Sequence, residues 1–321
     1  MMRRSFLFAV LALIALSSSA QLLWKVSGNG LEKPSYILGT MHFASESFLD
    51  EIPGMEQAFE DCDIVVGEID HDEFTDEKFQ MAMTQIMDAP PDSTLDKLLT
   101  SEEYALVEQE FNKYLGVMGM KLEQMNTLNP YFIRGLMLAM KWVQDKIDFT
   151  RVMDEFQGLE DMIDVLDLSN VNAYGNNRMD GAVQKRAKEM GRPSVALESI
   201  EEQLDLLFNV PLTEQAKNLL EACKNPDLVK AELTQSLALI KAYKSQDLTK
   251  IHSIITDSEF LEAGRMDALL VVDRNRNWIE KLVKMIPEHA CLIYVGAAHL
   301  PGDQGLLQLL RNEGYTVEPM Q

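Results

Sequence analysis

Two stretches far apart in the chain end an apolar run in the same way. "YILGTMH" (residues 36–42) passes through Ile37 and Leu38 to Gly39 and then to His42, and "LIYVGAAH" (292–299) passes through Val295 to Gly296 and then to His299. Each reads as a buried strand that stops at a glycine, with a histidine just beyond. Glycine lets a backbone turn tightly or approach a neighbour closely, so the next polar side chain can project over the strand end. A third run, "DIVVGEI", has the same layout, with Glu68 directly after Gly67. Strands this far apart that share one ending are expected to be neighbours in one sheet, with their carboxyl ends on the same side. Open α/β sheets carry their sites there. Two histidines and a carboxylate at such a place can form a metal site with open positions for water or substrate. Taken singly, His42 would serve equally as a hydrogen-bonded structural histidine, and Glu68 as a strand-end carboxylate in a salt bridge.

The rest of the chain alternates between the two periodicities. "QLLWKVSG" and "SYILGTMH" flank an Asn-Gly turn signal and predict an antiparallel hairpin. "PGMEQAFEDC" predicts a short helix, and from about Glu73 to Asn176 apolar residues recur at helical spacing. "RMDGAVQKRAKEMG" reads as a helix ended by Gly191, and "RPSVALES" as a strand. Several helices fill 200–259, and a long one is expected from about Glu262 to Met285. A strand over "ACLIYVG", a helix over "GDQGLLQLLRNEG" and a strand over "YTVEPM" close the chain. The expected architecture is α/β: a single mixed sheet flanked by helices, drawn from distant parts of the chain, with a helical insertion at about 71–178. Met81, Met83, Met87, Met118, Met120, Met125, Met137 and Met140 fall in that insertion. Methionine packs irregular helical gaps, so they read as core filler, or else as a soft apolar wall for a peptide.

Composition narrows the function. Arg3 and Arg4, the apolar run Phe6–Leu16 and the small residues "SSSA" have the parts of a secretory signal peptide. The apolar run has 11 residues, too short for a bilayer span, which needs about 20. Cleavage is expected after Ala20, giving a periplasmic or secreted chain from Gln21 with no stable membrane anchor. The formal charge of −22 becomes −24 without Arg3 and Arg4. Such a surface repels nucleic acid and anionic lipid. The three cysteines, Cys62, Cys223 and Cys291, are too few for a disulfide scaffold. His71, His252 and His289 lie in polar or helical settings and read as surface residues.

Other polar residues sit in apolar company. Glu198 ends "PSVALE" and either joins the site or caps the following helix. Arg274 and Asn275 follow the apolar "ALLVV", so one face of their helix should look inward. Asp180 begins a helix, where the dipole alone favours a carboxylate.

These stretches carry a resemblance. "LLWKVSGNGLEKPSYILGTMH", "DIVVGEI", "RMDGAVQKRAKEMGRPSVALESIEEQ", "RNRNW" and "VGAAHLPGDQGLLQLLRNEGYTV" together resemble the TraB/GumN family over nearly the whole chain after residue 20. That family is related to the Tiki metalloproteases and more distantly to erythromycin-esterase-like and ChaN-like folds. The resemblance implies a divalent metal (manganese, cobalt or zinc) held by His42, Glu68 and His299. It also implies Arg274 as an oxyanion or substrate-carboxylate contact, and Asn275, Asp180 and Glu198 as residues that support these groups or touch substrate. The expected activity is metal-dependent hydrolysis, a peptidase above all, on a peptide or small molecule. A noncatalytic peptide- or metal-binding protein and a metal-independent esterase with a histidine base are the alternatives. Removing either histidine is expected to abolish metal binding and leave the strands intact, and Arg274→Ala to keep the metal and lose turnover.

Overall fold

Asn29 and Gly30 turn the chain as their dipeptide predicts. Both take positive φ (48° and 83°), and the Leu31 N–H closes the turn on the Gly28 carbonyl at 3.0 Å. Positive φ at both central positions is what a type I′ hairpin turn requires. The computed structural model describes residues 21–42, 44–75, 77–144, 178–256 and 268–320. The expected leader at 1–20, residues 145–177 of the insertion and the first part of the helix expected from Glu262 lie outside them.

Six strands follow in chain order: β1 (Leu23–Ser27), β2 (Ser35–Thr40), β3 (Ile64–Gly67), β4 (Ser194–Ala196), β5 (Cys291–Gly296) and β6 (Thr316–Pro319). They form one mixed sheet in the order β4-β3-β5-β2-β1-β6. β2 and β5 are apolar runs without alternation, and the sheet explains why. All of β2 and the first five residues of β5 are buried, as expected for central strands covered on both faces. The outermost β6 alternates between exposed and buried instead. β2 with β5, β5 with β3, and β3 with β4 all pair in parallel. The three expected strand ends therefore point the same way. In register, Thr40 stands opposite Gly296, and Gly67 opposite Tyr294, so β2, β3 and β5 stop almost level.

The chain divides into two units. The first, Met1–His71, Gly158–Ser199 and Ala238–Gln321, contains the sheet; the second, Asp72–Gln157 and Ile200–Leu237, is built from helices. In the second unit Val107 and Phe111 of the helix Ser101–Tyr114, Ile133 of the helix Pro130–Gln144, and Leu219 of the helix Leu212–Lys224 share one buried cluster. Thr100 starts Ser101–Tyr114 with a capping box, its hydroxyl accepting from the Glu103 N–H while Glu103 Oε2 accepts from the Thr100 N–H at 2.9 Å. Thr100→Ala is expected to cost about 1 kcal/mol, read as a lower denaturant midpoint at unchanged slope.

The methionines divide. Met137 is buried, and Met120, Met125 and Met140 pack against the same cluster. Met81 and Met118 are exposed, Met118 because it ends a 3₁₀ turn that Gly119 stops in a left-handed conformation. Cys62 and Cys291 are buried and Cys223 is half-buried; all are free thiols. Burial pushes the Cys223 and Cys291 thiols up to about 12, so neither is a ready nucleophile. No helix among the described residues is long and apolar enough to cross a membrane.

Candidate active site

The two Gly-x-x-His motifs interlock through their glycines. A Cβ on Gly39 would lie 2.9 Å from Leu300 Cδ1 and 3.1 Å from Ala297 Cα. Only glycine lets the turn after β5 pack against the end of β2. A Cβ on Gly296 would meet Glu68 Oε1 at 3.3 Å, His299 Cδ2 at 3.6 Å and His42 Nε2 at 4.0 Å. All three strand-end side chains thus face one small hollow beside Gly296. The chain brings residues 42, 68 and 299 to one place.

Each imidazole is oriented from behind. His42 Nδ1 lies 3.1 Å from Asp180 Oδ2, and the Thr40 hydroxyl donates to Asp180 Oδ1 at 2.6 Å. Asp180 is buried in the first turn of the helix Met179–Glu189. Its role is thus more than a dipole partner: it couples the end of β2 to His42. On the other side, Asn275 Nδ2 donates to the carbonyls of His299 and Gln304 at 3.0 and 2.8 Å. Its Oδ1 therefore faces His299 Nδ1, 2.7 Å away, as acceptor. The proton sits on Nδ1, and His299 Nε2 presents a lone pair. Both rings are held at Nδ1 by a carboxylate or amide oxygen, the arrangement that orients metal-binding histidines.

Arg274 occupies the middle. Its Nη2 donates to Glu68 Oε2 at 2.5 Å and to Glu198 Oε1 at 2.6 Å, and its Nε donates to Glu198 Oε2 at 3.1 Å. Its Nη1 donates to the Leu270 carbonyl at 3.1 Å and lies 3.2 Å from His299 Nε2. Leu270 belongs to a π-helical turn, Ala268–Val272, that leads into the helix Asp273–Met285. Such turns are frequent at functional sites. The guanidinium stacks 4.5 Å over Trp278, whose indole N–H donates to Glu198 Oε2 at 3.2 Å and whose ring lies 4.5 Å from His299. Glu198, left open between cap and site by its local sequence, lies against Arg274 and Trp278 in this cluster.

The electrostatics separate the two histidines. Burial holds His299 down at about 4, against the pull of Glu68, so it is neutral at physiological pH. For His42, loss of water would lower the value, but the Asp180 carboxylate overrides this and raises it to about 9. The His42 side chain is 56% exposed, so solvent screens part of that field. The unperturbed titration expected of a free imidazole does not apply to either ring. Burial alone would raise Glu68; the surrounding His299, Arg274 and His42 charges and the Gly296 N–H, 2.7 Å from Oε1, hold it at about 2.

In kind, this donor set fits a divalent ion once His42 gives up its Nε2 proton: two Nε2 atoms and one ionised carboxylate around a hollow. In spacing it is not closed. Among the described residues no three His, Cys, Asp or Glu side chains form a group that could hold a metal, and Arg274 spans Glu68 and His299. Sequence reasoning missed Thr40, Trp278 and the Leu270 carbonyl. Thr40 alone had a signal, a polar residue closing a wholly apolar strand. Of the remaining histidines only His289 is exposed; His71 and His252 are half-buried. A Cβ on Gly302 would lie 2.6 Å from the His252 ring.

Fold and site define an α/β protein whose ionisable groups gather at the carboxyl ends of three parallel strands. The chain belongs to the TraB/PrgY/gumN family, whose model matches residues 22–319. It is 24% identical over 330 residues to metalloprotease TIKI2 of Danio rerio, covering 92% of this chain and 60% of that protein. It is 23% identical over 316 residues to metalloprotease TIKI1 of Homo sapiens, covering 89% of this chain and 60% of that protein. The chain thus spans about 60% of the length of these curated relatives. No solved structure matches it.

Proposed function

We propose that this chain is an exported metal-dependent hydrolase, most closely a peptidase, with His42, Glu68 and His299 as the residues that would hold a divalent manganese, cobalt or zinc ion. The observation that carries the reading is the convergence of these three side chains beside Gly296 in a chain related to metalloproteases. A bound divalent ion would supply a water of lowered pKa and polarise a carbonyl. The chain's own residues do the rest. Asp180 and Asn275 fix the two rings so that both Nε2 atoms face the hollow. Glu68 is ionised and able to accept a proton or serve as a ligand. Arg274 offers a cation to a developing oxyanion or to a substrate carboxylate. A peptide or small molecule is the substrate class; the net charge of −22 disfavours nucleic acid.

The test is hydrolysis of a peptide library by metal-stripped protein, with manganese, cobalt or zinc added back. Turnover is expected only with metal. The Asp180–His42 pair supports a second reading, because a carboxylate behind a half-exposed imidazole is also how a general base is oriented. Activity that survives stripping would select that metal-independent esterase. Binding without turnover would select a noncatalytic periplasmic binder.

Export rests on the sequence at 1–20. The mature amino terminus is expected at Gln21 in a periplasmic or secreted fraction. Intact-mass measurement checks this; a retained Met1 in the cytosol contradicts it.

A further inference from the structure

The metal-dependent reading leaves Arg274 in a contradictory place. Its guanidinium donates to Glu68 Oε2 and lies 3.2 Å from His299 Nε2, so it engages two of the three candidate ligands at once. His299 has a single available lone pair, because its Nδ1 proton is committed to Asn275. A guanidinium N–H and a metal ion cannot share that lone pair. Building on that reading, we infer that Arg274 is an internal cation standing in the metal's place, and that an ion binds only when Arg274 swings aside.

Two features make the exchange physically reasonable. Glu68 and Glu198 are both buried with Arg274 between them, their side chains 5% and 10% exposed. A divalent ion would bring its own positive charge to Glu68 as the guanidinium leaves it. The displaced guanidinium also keeps a partner: Glu198, not itself a candidate ligand, binds it through Nε and Nη2. The contacts to Glu68, His299 and the Leu270 carbonyl are made by Nη1 and Nη2, so a swing pivoting on Glu198 surrenders these three together while the Glu198 ion pair keeps the buried guanidinium charge matched. The arrangement gives the site two exclusive states. In one, Arg274 closes the ligands; in the other, the ion holds them and Arg274 is free to face substrate.

Calorimetric titration of zinc into wild type and Arg274→Ala tests this. The variant is expected to bind at least about tenfold tighter. Added guanidinium ion, at non-denaturing concentration, should compete with zinc in the variant by refilling the vacated place. Sodium chloride at equal ionic strength should not, and wild type should respond to both salts alike. Equal zinc affinities, or a variant indifferent to guanidinium, overturn the inference while leaving the metal reading intact. If neither protein binds zinc, both fall together. Should the variant fail to fold, a crystal structure of the wild type with manganese decides: Arg274 must have left His299 Nε2 while still bound to Glu198. Arg274 still on His299 beside a bound ion overturns the idea.

Discussion

Replacing His299 with Ala is expected to lower turnover by roughly 10³-fold, the loss of several kcal/mol of transition-state stabilisation when a metal site loses a ligand. The same change should end tight binding of manganese, cobalt or zinc. The sequence suggested that the fold would ignore this substitution, and the structure revises that expectation. The His299 ring is 5% exposed, packs 4.5 Å from Trp278 and supplies the proton that Asn275 Oδ1 accepts. Removing it leaves a buried amide oxygen without its donor, at a cost of about 1–3 kcal/mol. His42→Ala should lose metal binding as well. Its ring is half-exposed, but it faces the buried Asp180 carboxylate, so removing it is also expected to lower stability. Paired thermal melts and metal titrations on both variants check this. If both bind metal as wild type does, the strand-end histidines are structural and the proposed site is wrong.

The second large effect concerns stability. Arg274→Ala leaves Glu68 and Glu198 buried without the guanidinium between them. Breaking a buried ion pair by removing one partner costs about 3–5 kcal/mol, and that is the expected loss at neutral pH. The pH dependence has a definite sign. Glu68 is depressed in the fold to about 2, from an ordinary value of 4.5. A depressed carboxylate stabilises the fold above its unfolded value, and that contribution disappears as pH falls through the folded one. Wild type should therefore weaken between about pH 4.5 and 2. In the variant Glu68 titrates nearer to its ordinary value, because Arg274 no longer helps His299, His42 and the Gly296 N–H to oppose burial. The gap between the two proteins should narrow as the medium becomes acidic. Denaturant midpoints at neutral pH and near pH 4 measure it; a gap that widens toward acid would show that Arg274 does not hold Glu68 down. Added zinc should narrow the gap at neutral pH as well, by resupplying positive charge to Glu68.

What the sequence made legible, and what it did not, follows from the range of the interactions. β2 and β5 were readable because a strand covered on both faces must be apolar throughout, and the hairpin because Asn29 and Gly30 satisfy a local backbone demand. His42, Glu68 and His299 were readable because each follows a glycine at the end of such a strand. The partners behind them were not. Asp180 had a sufficient local reason to be where it is, the start of a helix, which concealed its bond to His42. Glu198 had another, the helix that begins at Ile200. The position of Arg274 between two carboxylates depends on how one helix approaches the sheet, and no local pattern encodes that angle. The exposed Met81 and Met118 depart from the core-filler reading for a related reason. A methionine looks the same in sequence whether its helix face or turn ends up covered or bare.

β5 lies between β2 and β3 in the sheet, yet it is drawn from Cys291–Gly296, late in the chain. Before it arrives, the strand carrying His42 and the strand carrying Glu68 have no shared edge. The same insertion that unites the sheet also delivers Gly296 and His299. Assembly of the three candidate ligands is therefore tied to one of the last events of synthesis. A chain still being made, or threaded unfolded across a membrane, holds the parts of the site but not the site. Whatever these residues do together, they can do only once the sheet is complete.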